Sequence, residues 1–361
     1  MTTTTWAARE TWSGEVPRPA DATGLLQMPS TGDLAAPLAV DELPAVVALS
    51  ARHLTAAGIR PTDRVVVALN NDGVGVGAHL ALAAAQAAEA AVSAGPRGRM
   101  RLLRALEGSR ATALVITPTG AMDLLARLHI EFLVDPLDLG IERIVLVGEI
   151  PSPGSERQLA MDFGAEVGAV LCDPYFGVAV GHRAGTTLVA DPEHVVAAPL
   201  ADDVVTTPER GPYELVLRPV WSAALGGAHL RTGWVGVAGD ETAGALPWPT
   251  ATVGDRVLAR GRWLSVQAVA AALRLIDGIE AWSLELRRDG TLDKVQLRVA
   301  FNRPSLTQNK MWAGRIRAAL DALTPVDIEV EVVDDPATVG DRLVDHRGHH
   351  LGLDRTAVKP G

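Results

Sequence analysis

The chain has 361 residues, a formal net charge of −10, 48% hydrophobic residues and only 4% aromatics. That length suggests about two domains of roughly 150 residues each, with cores of Ala, Val and Leu. An acidic chain repels phosphate backbones, which argues against a nucleic-acid partner, and the single cysteine, Cys172, excludes an internal disulfide or a multi-cysteine metal site.

The amino-terminal stretch is polar and lacks the apolar centre of a secretion signal; residues 1–24 read as a loose arm. The longest apolar run, Ala78 to Val92, carries His79, Gln86 and Glu89, too polar and too short to span a bilayer. The expectation is a soluble cytoplasmic protein with no membrane partner.

Helical spacing of Leu43, Val46, Val47, Leu49, Ser50 and Leu54 predicts an amphipathic helix over 42–58, with Gly58 and Pro61 as stop signals. A buried strand over 64–69, a glycine-rich turn over 70–77 and a helix over 78–91 follow. Helices are predicted over 99–107, 121–128 and 155–162, and strands over 113–116, 143–147 and 167–172. The arginines at 97, 99, 101 and 104 read as a solvated helix face. This β-α alternation implies a parallel sheet with flanking helices.

After about residue 185 the pattern changes to short strands over 187–190, 194–197, 213–218 and 228–232, separated by Gly, Pro and Asp, which read as a small antiparallel or β-barrel-like unit. Pro247 and Pro249 mark a linker. From Val257 the predicted order is strand, helix (265–276), strands (281–287 and 294–301), helix (307–323) and strand (327–333), a compact C-terminal α+β unit. The expected fold class is α/β, divided as an arm (1–24), an α/β lobe (25–185), a β unit (186–252) and a small α+β domain (253–361).

Few constellations carry chemistry on their own. Gly73, Gly75 and Gly77 follow a strand and precede a helix, but their spacing is not that of a dinucleotide turn, and no acidic residue closes a second strand about 20 residues on. Asp345, His346, His349 and His350 have metal-ligating chemistry but read as part of an exposed polar tail, so no metal is expected. Cys172 has no base near it in sequence and reads as a buried strand end.

A set of short segments in order resembles the phenylacetate–CoA ligase branch of the acyl-adenylate-forming family, from about Gln27 to about Arg347. Ser30-Thr31-Gly32-Asp33-Leu34-Ala35-Ala36-Pro37 stands where that family has its phosphate loop, S-S-G-T-T-G-K-P. Ala57-Gly58-Ile59-Arg60-Pro61-Thr62-Asp63-Arg64-Val65 is close to A-G-v-r-P-g-D-x-V. Gly77-Ala78-His79 resembles G-F-H, Thr117-Pro118-Thr119 resembles T-P-S, and Gly148-Glu149 resembles the G-(A/G)-E turn. Asp173-Pro174-Tyr175-Phe176-Gly177-Val178-Ala179 falls on D-x-Y-G-x-S-E, Arg231-Thr232-Gly233-Trp234 on R-T-G-D, and Arg260-Gly261 on the R-G after the family's hinge.

The resemblance implies the family's ATP-dependent activation of a carboxylic acid to an acyl-AMP, then transfer to coenzyme A. The departures fall on the residues that would do it. Ser30, Thr31 and Gly32 remain in the phosphate loop, but Asp33 would set a carboxylate against phosphates. Ala179 stands where the family has a magnesium-holding glutamate, and Trp234 where an aspartate grips the ribose. Thr338 to Asp345 replaces a segment that carries the catalytic lysine; the chain's lysines are Lys294, Lys310 and Lys359. Only 29 residues precede Ser30, where the family has a sizeable segment.

Two readings follow: a pseudo-enzyme with a binding or regulatory role, with no catalytic residue and no cofactor; or a divergent, still-active acid:CoA or acid:amine ligase using ATP or AMP, magnesium and coenzyme A. Either allows a small carboxylic acid or acyl ligand, a protein partner or a homo-oligomer. A retained ligand site is expected at the carboxyl edge of the sheet, near His79, Gly148, Glu149, Tyr175, Gly177, Arg231, Thr232 and Gly233, with Arg231 as the positive charge for a carboxylate or phosphate. Trp234 packed into that crevice would count against a ligand.

Overall fold

The computed structural model describes residues 5–8, 25–27, 36–70, 77–95, 98–240, 244–290 and 292–358. The degenerate phosphate loop, Ser30 to Asp33, most of the glycine-rich turn before Gly77, and Lys359 lie outside them.

In chain order the elements are β1 (Thr5–Ala8), β2 (Leu25–Gln27), β3 (Ala36–Leu38), α1 (Leu43–Ala56), β4 (Arg64–Ala68), α2 (Gly77–Ala87), β5 (Ala90–Ser93), α3 (Arg99–Ser109), β6 (Ala113–Ile116), α4 (Pro118–Arg127), β7 (Arg143–Val147), α5 (Pro153–Phe163), β8 (Glu166–Cys172), β9 (Ala179–Ala184) and β10 (Thr187–Ala190). Then come β11 (Val195–Pro199), β12 (Gly211–Leu217), β13 (Ala228–Ala238), β14 (Pro249–Thr252), β15 (Arg256–Ala259), β16 (Arg262–Ser265), α6 (Val266–Arg274), β17 (Ile279–Asp289), β18 (Leu292–Phe301), α7 (Pro304–Thr307), α8 (Lys310–Leu323), β19 (Ile328–Val333) and β20 (Leu343–Asp345).

The apolar runs of β4, β6, β7 and β8 are buried on both faces, which is why they lie in the middle of a sheet. The seven-stranded sheet has the order β10-β9-β8-β7-β6-β4-β5, parallel except at β9 and β10. One face packs Leu54 of α1 and Leu80 of α2 against Val65, Val115 and Val145. The other packs Leu106, Leu125 and Leu159 of α3, α4 and α5 against Leu114, Ile144 and Leu146. Each fully buried Leu or Ile contributes about 1.5–3 kcal/mol relative to exposure. Gly168 is required by close approach: a Cβ there would lie 2.1 Å from the Ala57 carbonyl oxygen.

A second sheet, β1-β13-β12-β11 with β14 on β13, packs beside the first around Tyr175, Phe176, Leu217, Leu230 and Trp234. The hairpin β15–β16 leads into a C-terminal α+β unit, in which β19-β18-β17-β20 is covered by α6 and α8. The fold is mixed α/β, a parallel sheet flanked by helices followed by a separate C-terminal α+β domain. No helix among the described residues is long and apolar enough to cross a membrane.

Several expectations need correction. Part of the predicted arm, Thr5–Ala8, is a strand parallel to β13. The helix predicted to Ala91 ends at Ala87, and Ala90–Ser93 instead extends the sheet, because the amides of Glu89 and Ala90 are taken by the Asp63 carbonyl. Thr187–Ala190, assigned to the small β unit, is the edge strand of the large sheet, held there by β9. The tail Asp345–His350 is ordered: β20 pairs with β17, and the Arg347 side chain is 3% exposed between Asp293 and Asp345.

Candidate functional site

Three turns meet at the carboxyl edge of the large sheet. After β6, Thr117 caps α4 by accepting from the Gly120 amide, with Pro118 next in the chain. After β7, Gly148 turns with φ +76° and sends Glu149 back over that helix start. The Glu149 Oε2 accepts from the Thr119 amide at 2.8 Å and hydroxyl at 2.6 Å, a favourable place for an anion. Its Oε1 is shut off from solvent and has no hydrogen-bond partner among the described residues. The turn Arg260-Gly261 between β15 and β16 sits on it: a Cβ at Gly261 would be 3.1 Å from that oxygen.

Burial pushes the Glu149 carboxyl up to about 7, against the bonds from Thr119. A raised carboxyl stabilises the fold when protonated, so its contribution is present at low pH and is lost as pH rises from the usual carboxylate range through 7. Glu149→Gln, which stays neutral, should therefore raise the melting temperature relative to the parent at pH 8 and not at pH 4.5. Melting curves at the two pH values check this; an equal shift at both would refute it.

The turn after β8 is organised by Asp173, whose buried carboxylate accepts from the amides of Tyr175, Phe176 and Val178 at 2.7–2.9 Å. Gly177 completes it with φ +70°. Tyr175 is 2% exposed and donates its hydroxyl to the Arg231 carbonyl at 2.6 Å. It ties the turn to β13 and lies within the core between the sheets.

Arg231 is not presented to a ligand, contrary to the sequence expectation. Its guanidinium donates to Glu214 at 2.7 Å, Asp203 at 2.9 Å and the carbonyls of Asp202 and Pro199. Trp6 of β1 stacks on it at 5.5 Å. Thr232 donates to the Leu215 carbonyl, and the Gly233 amide to Glu214. His79 is buried on α2, where burial lowers its pKa. Trp234 is 2% exposed and meets Trp263 of β16 edge-on, with ring centroids 5.0 Å apart.

Among the described residues, crevices open at this edge on either side of Glu149. One, with about 300 Å³ of empty space, is lined by Leu146, Gly148, Glu149, Pro151, Trp234 and Trp248 among others. It is so narrow that it admits no more than about one water-sized sphere. The other, about 230 Å³, lies between Glu149 and Thr252 on one side and Arg288, Asp293, Arg347 and His349 on the other. Of the predicted site residues, Gly148 and Glu149 line these crevices; His79, Tyr175, Gly177, Arg231, Thr232 and Gly233 line neither. Trp248, Trp263 and Arg347 were missed, since their partners are distant in sequence. Among the described residues no group of three His, Cys, Asp or Glu is placed to hold a metal.

No protein-family model and no curated protein sequence matches the chain. Solved structures do. A 2-hydroxyisobutyryl-CoA ligase, in complex with 2-HIB-AMP and CoA in the thioesterification state, aligns with a TM-score of 0.74 at 18% identity, over 93% of this chain and 78% of that one. The same ligase gives 0.54 in an open conformation and 0.53 in the postadenylation state. The amide bond synthetase McbA from Marinactinospora thermotolerans aligns at 0.63, 18% identity, over 88% and 67% of the two chains. A malonyl-CoA ligase, in a product complex with methylmalonyl-CoA and AMP, aligns at 0.61, 17% identity, over 86% and 70%. The chain therefore carries the fold of the acyl-adenylate-forming CoA ligases and amide synthetases.

Proposed function

We propose that this protein is a pseudo-enzyme, a ligase fold that no longer activates acids with ATP and that acts by binding or regulating a partner protein, since Trp234 fills the crevice in which an acyl ligand would sit. The observation that carries the reading is the Trp234–Trp263 pair, buried where the motif resemblance puts the ribose-gripping aspartate. An indole there offers no acceptor for sugar hydroxyls and occupies their space. The residues around it do not fit the rest of the cofactor set either. Ala179, on the position of the magnesium glutamate, is buried with its amide on Ser50. Asp173, the neighbouring carboxylate, is taken up by three backbone amides. In the segment aligned with the catalytic lysine, Arg342 stacks on Trp282 at 4.5 Å, and Leu343–Asp345 is a sheet strand. Placement nearest the phenylacetate–CoA ligase branch belongs to this proposal, on the motifs alone.

Loss of one electrostatic stabiliser typically costs about 2.7–4 kcal/mol of barrier, so loss of several leaves adenylation negligible, although such effects are not additive. Pyrophosphate exchange over a panel of aryl, short-chain and hydroxy acids should sit at background. Thermal melting with ATP and magnesium should show no shift, whereas a ligand at 100 times its Kd stabilises by about 2.7 kcal/mol. Acid-dependent exchange would overturn the proposal in favour of a divergent ligase that uses ATP and coenzyme A.

A further inference from the structure

The segment that follows the C-terminal unit does not end on that unit. From β20 the chain is first anchored at home. Arg347 donates to Asp345, to Asp293 of β18 at 2.5 Å and to the Leu258 carbonyl of β15. It then crosses to the middle sheet and runs beside the residues that link the two parts of the protein. The Thr252 amide donates to the His349 carbonyl at 2.7 Å, the Leu351 amide to the Thr252 carbonyl at 2.8 Å, and the Gly254 amide to the Gly352 carbonyl at 2.9 Å. Leu351 and Val358 pack on Leu200, Val235, Ala251 and Val253. At the far end Arg355 reaches Glu214 of β12, Nε to Oε2 at 2.9 Å. Gly254 makes room for it, since a Cβ there would lie 2.8 Å from the guanidinium.

We infer that residues 349–358 are a strap that fixes the C-terminal unit in one orientation against the β11–β14 sheet. A unit joined by the linker 253–255 alone could swivel about it. Here a second segment crosses the same junction, hydrogen-bonded to the first and ending in a buried ion pair. Rotation of the unit requires that these bonds, the apolar contacts and the Arg355–Glu214 pair break together. The strap is independent of whether ATP is turned over, so the exchange assay and the following experiment can fail separately.

Spin labels on cysteines introduced at the exposed positions Ile130 and Met311 report the distance between the two parts; Cys172 is buried and does not react. Dipolar spectroscopy on the full chain should give one narrow distance. Arg355→Ala together with Gly254→Val should at least double its width or add a second distance. A broad or bimodal distribution in the parent overturns the strap, and so does a variant that folds and stays narrow. Hydrogen exchange on the parent needs no substitution. The amides of Leu351 and Thr252 should exchange at least about 100-fold slower than an unstructured chain, the slowing expected of local opening that costs a few kcal/mol; unprotected amides would refute the proposal even if the double variant failed to fold.

Discussion

Replacing Glu214 with alanine should lower the free energy of unfolding by about 3–5 kcal/mol or more, the range for breaking a buried ion pair by removing one partner. Glu214 has no exposed surface, yet it serves two guanidiniums and one backbone amide: Arg231 at 2.7 Å, Arg355 at 2.9 Å and Gly233 at 2.8 Å. Burial lowers the Arg231 pKa, but Glu214 and Asp203 outweigh it and hold the group above its usual value. For Arg355 burial dominates and brings it to about 10. Both stay charged at neutral pH, so the alanine variant strands two buried cations, with Asp203 left to answer one of them. Denaturant titration at pH 7 measures the loss. Arg355→Ala should cost less, because Glu214 then keeps Arg231. A Glu214→Ala loss under 1 kcal/mol would mean that water reaches the node and the network is not the brace described.

Trp234→Ala should cost about 3–5 kcal/mol, as large-to-small changes of buried aromatics do. It should also convert a closed crevice into an open one. The removed indole borders Leu146, Gly148, Trp248 and Pro151, so the vacancy joins space that already exists and is walled mainly by apolar groups. Cavities of that kind stay dry and take small aromatic guests. Indole added to the variant should raise its melting temperature and leave the parent unchanged. Rescue of both proteins, or of neither, would show that the space beside Trp234 is not shaped as described.

How much of this was legible in the sequence depended on where each residue finds its partners. β6, β7 and β10 appear within their predicted bounds because an apolar run between turn residues is a local signal. β5 was read as helix, since Ala90-Ala91-Val92-Ser93 continues an alanine-rich helix without a break and only the pairing with Arg64–Val67 makes it a strand. β9, with Gly181, His182 and Arg183 in its middle, has no strand periodicity; it is held by β8 and β10. The order of motifs pointed to the fold. Residue placement within the candidate site was less accessible. Arg231 looked like a ligand-binding cation because its neutralising groups, Glu214 and Asp203, are 17 and 28 residues away. The histidine- and arginine-rich segment near the C-terminus looked solvated for the same reason, as its partners are Thr252, Asp293 and Glu214.

The node at Arg231 and Glu214 also bears on synthesis. Residues 5–8 pair with residues 228–231, Trp6 lies over Arg231, and Arg355 closes on Glu214. The middle sheet thus draws an early strand and a late side chain to its own hairpin β12–β13, so its formation carries the long loop closures that slow folding. The large sheet, whose strands follow one another through short crossovers, can form while the chain is still being made. The sheet of β1 and β11–β14 cannot be completed until residues 228–252 have left the ribosome, so Trp6 of β1 awaits its partner strand through most of translation, and Arg355 closes on Glu214 later still. In a nascent chain halted before β13 has emerged, Trp6 should remain open to chaperones and proteases long after β4 to β8 have closed.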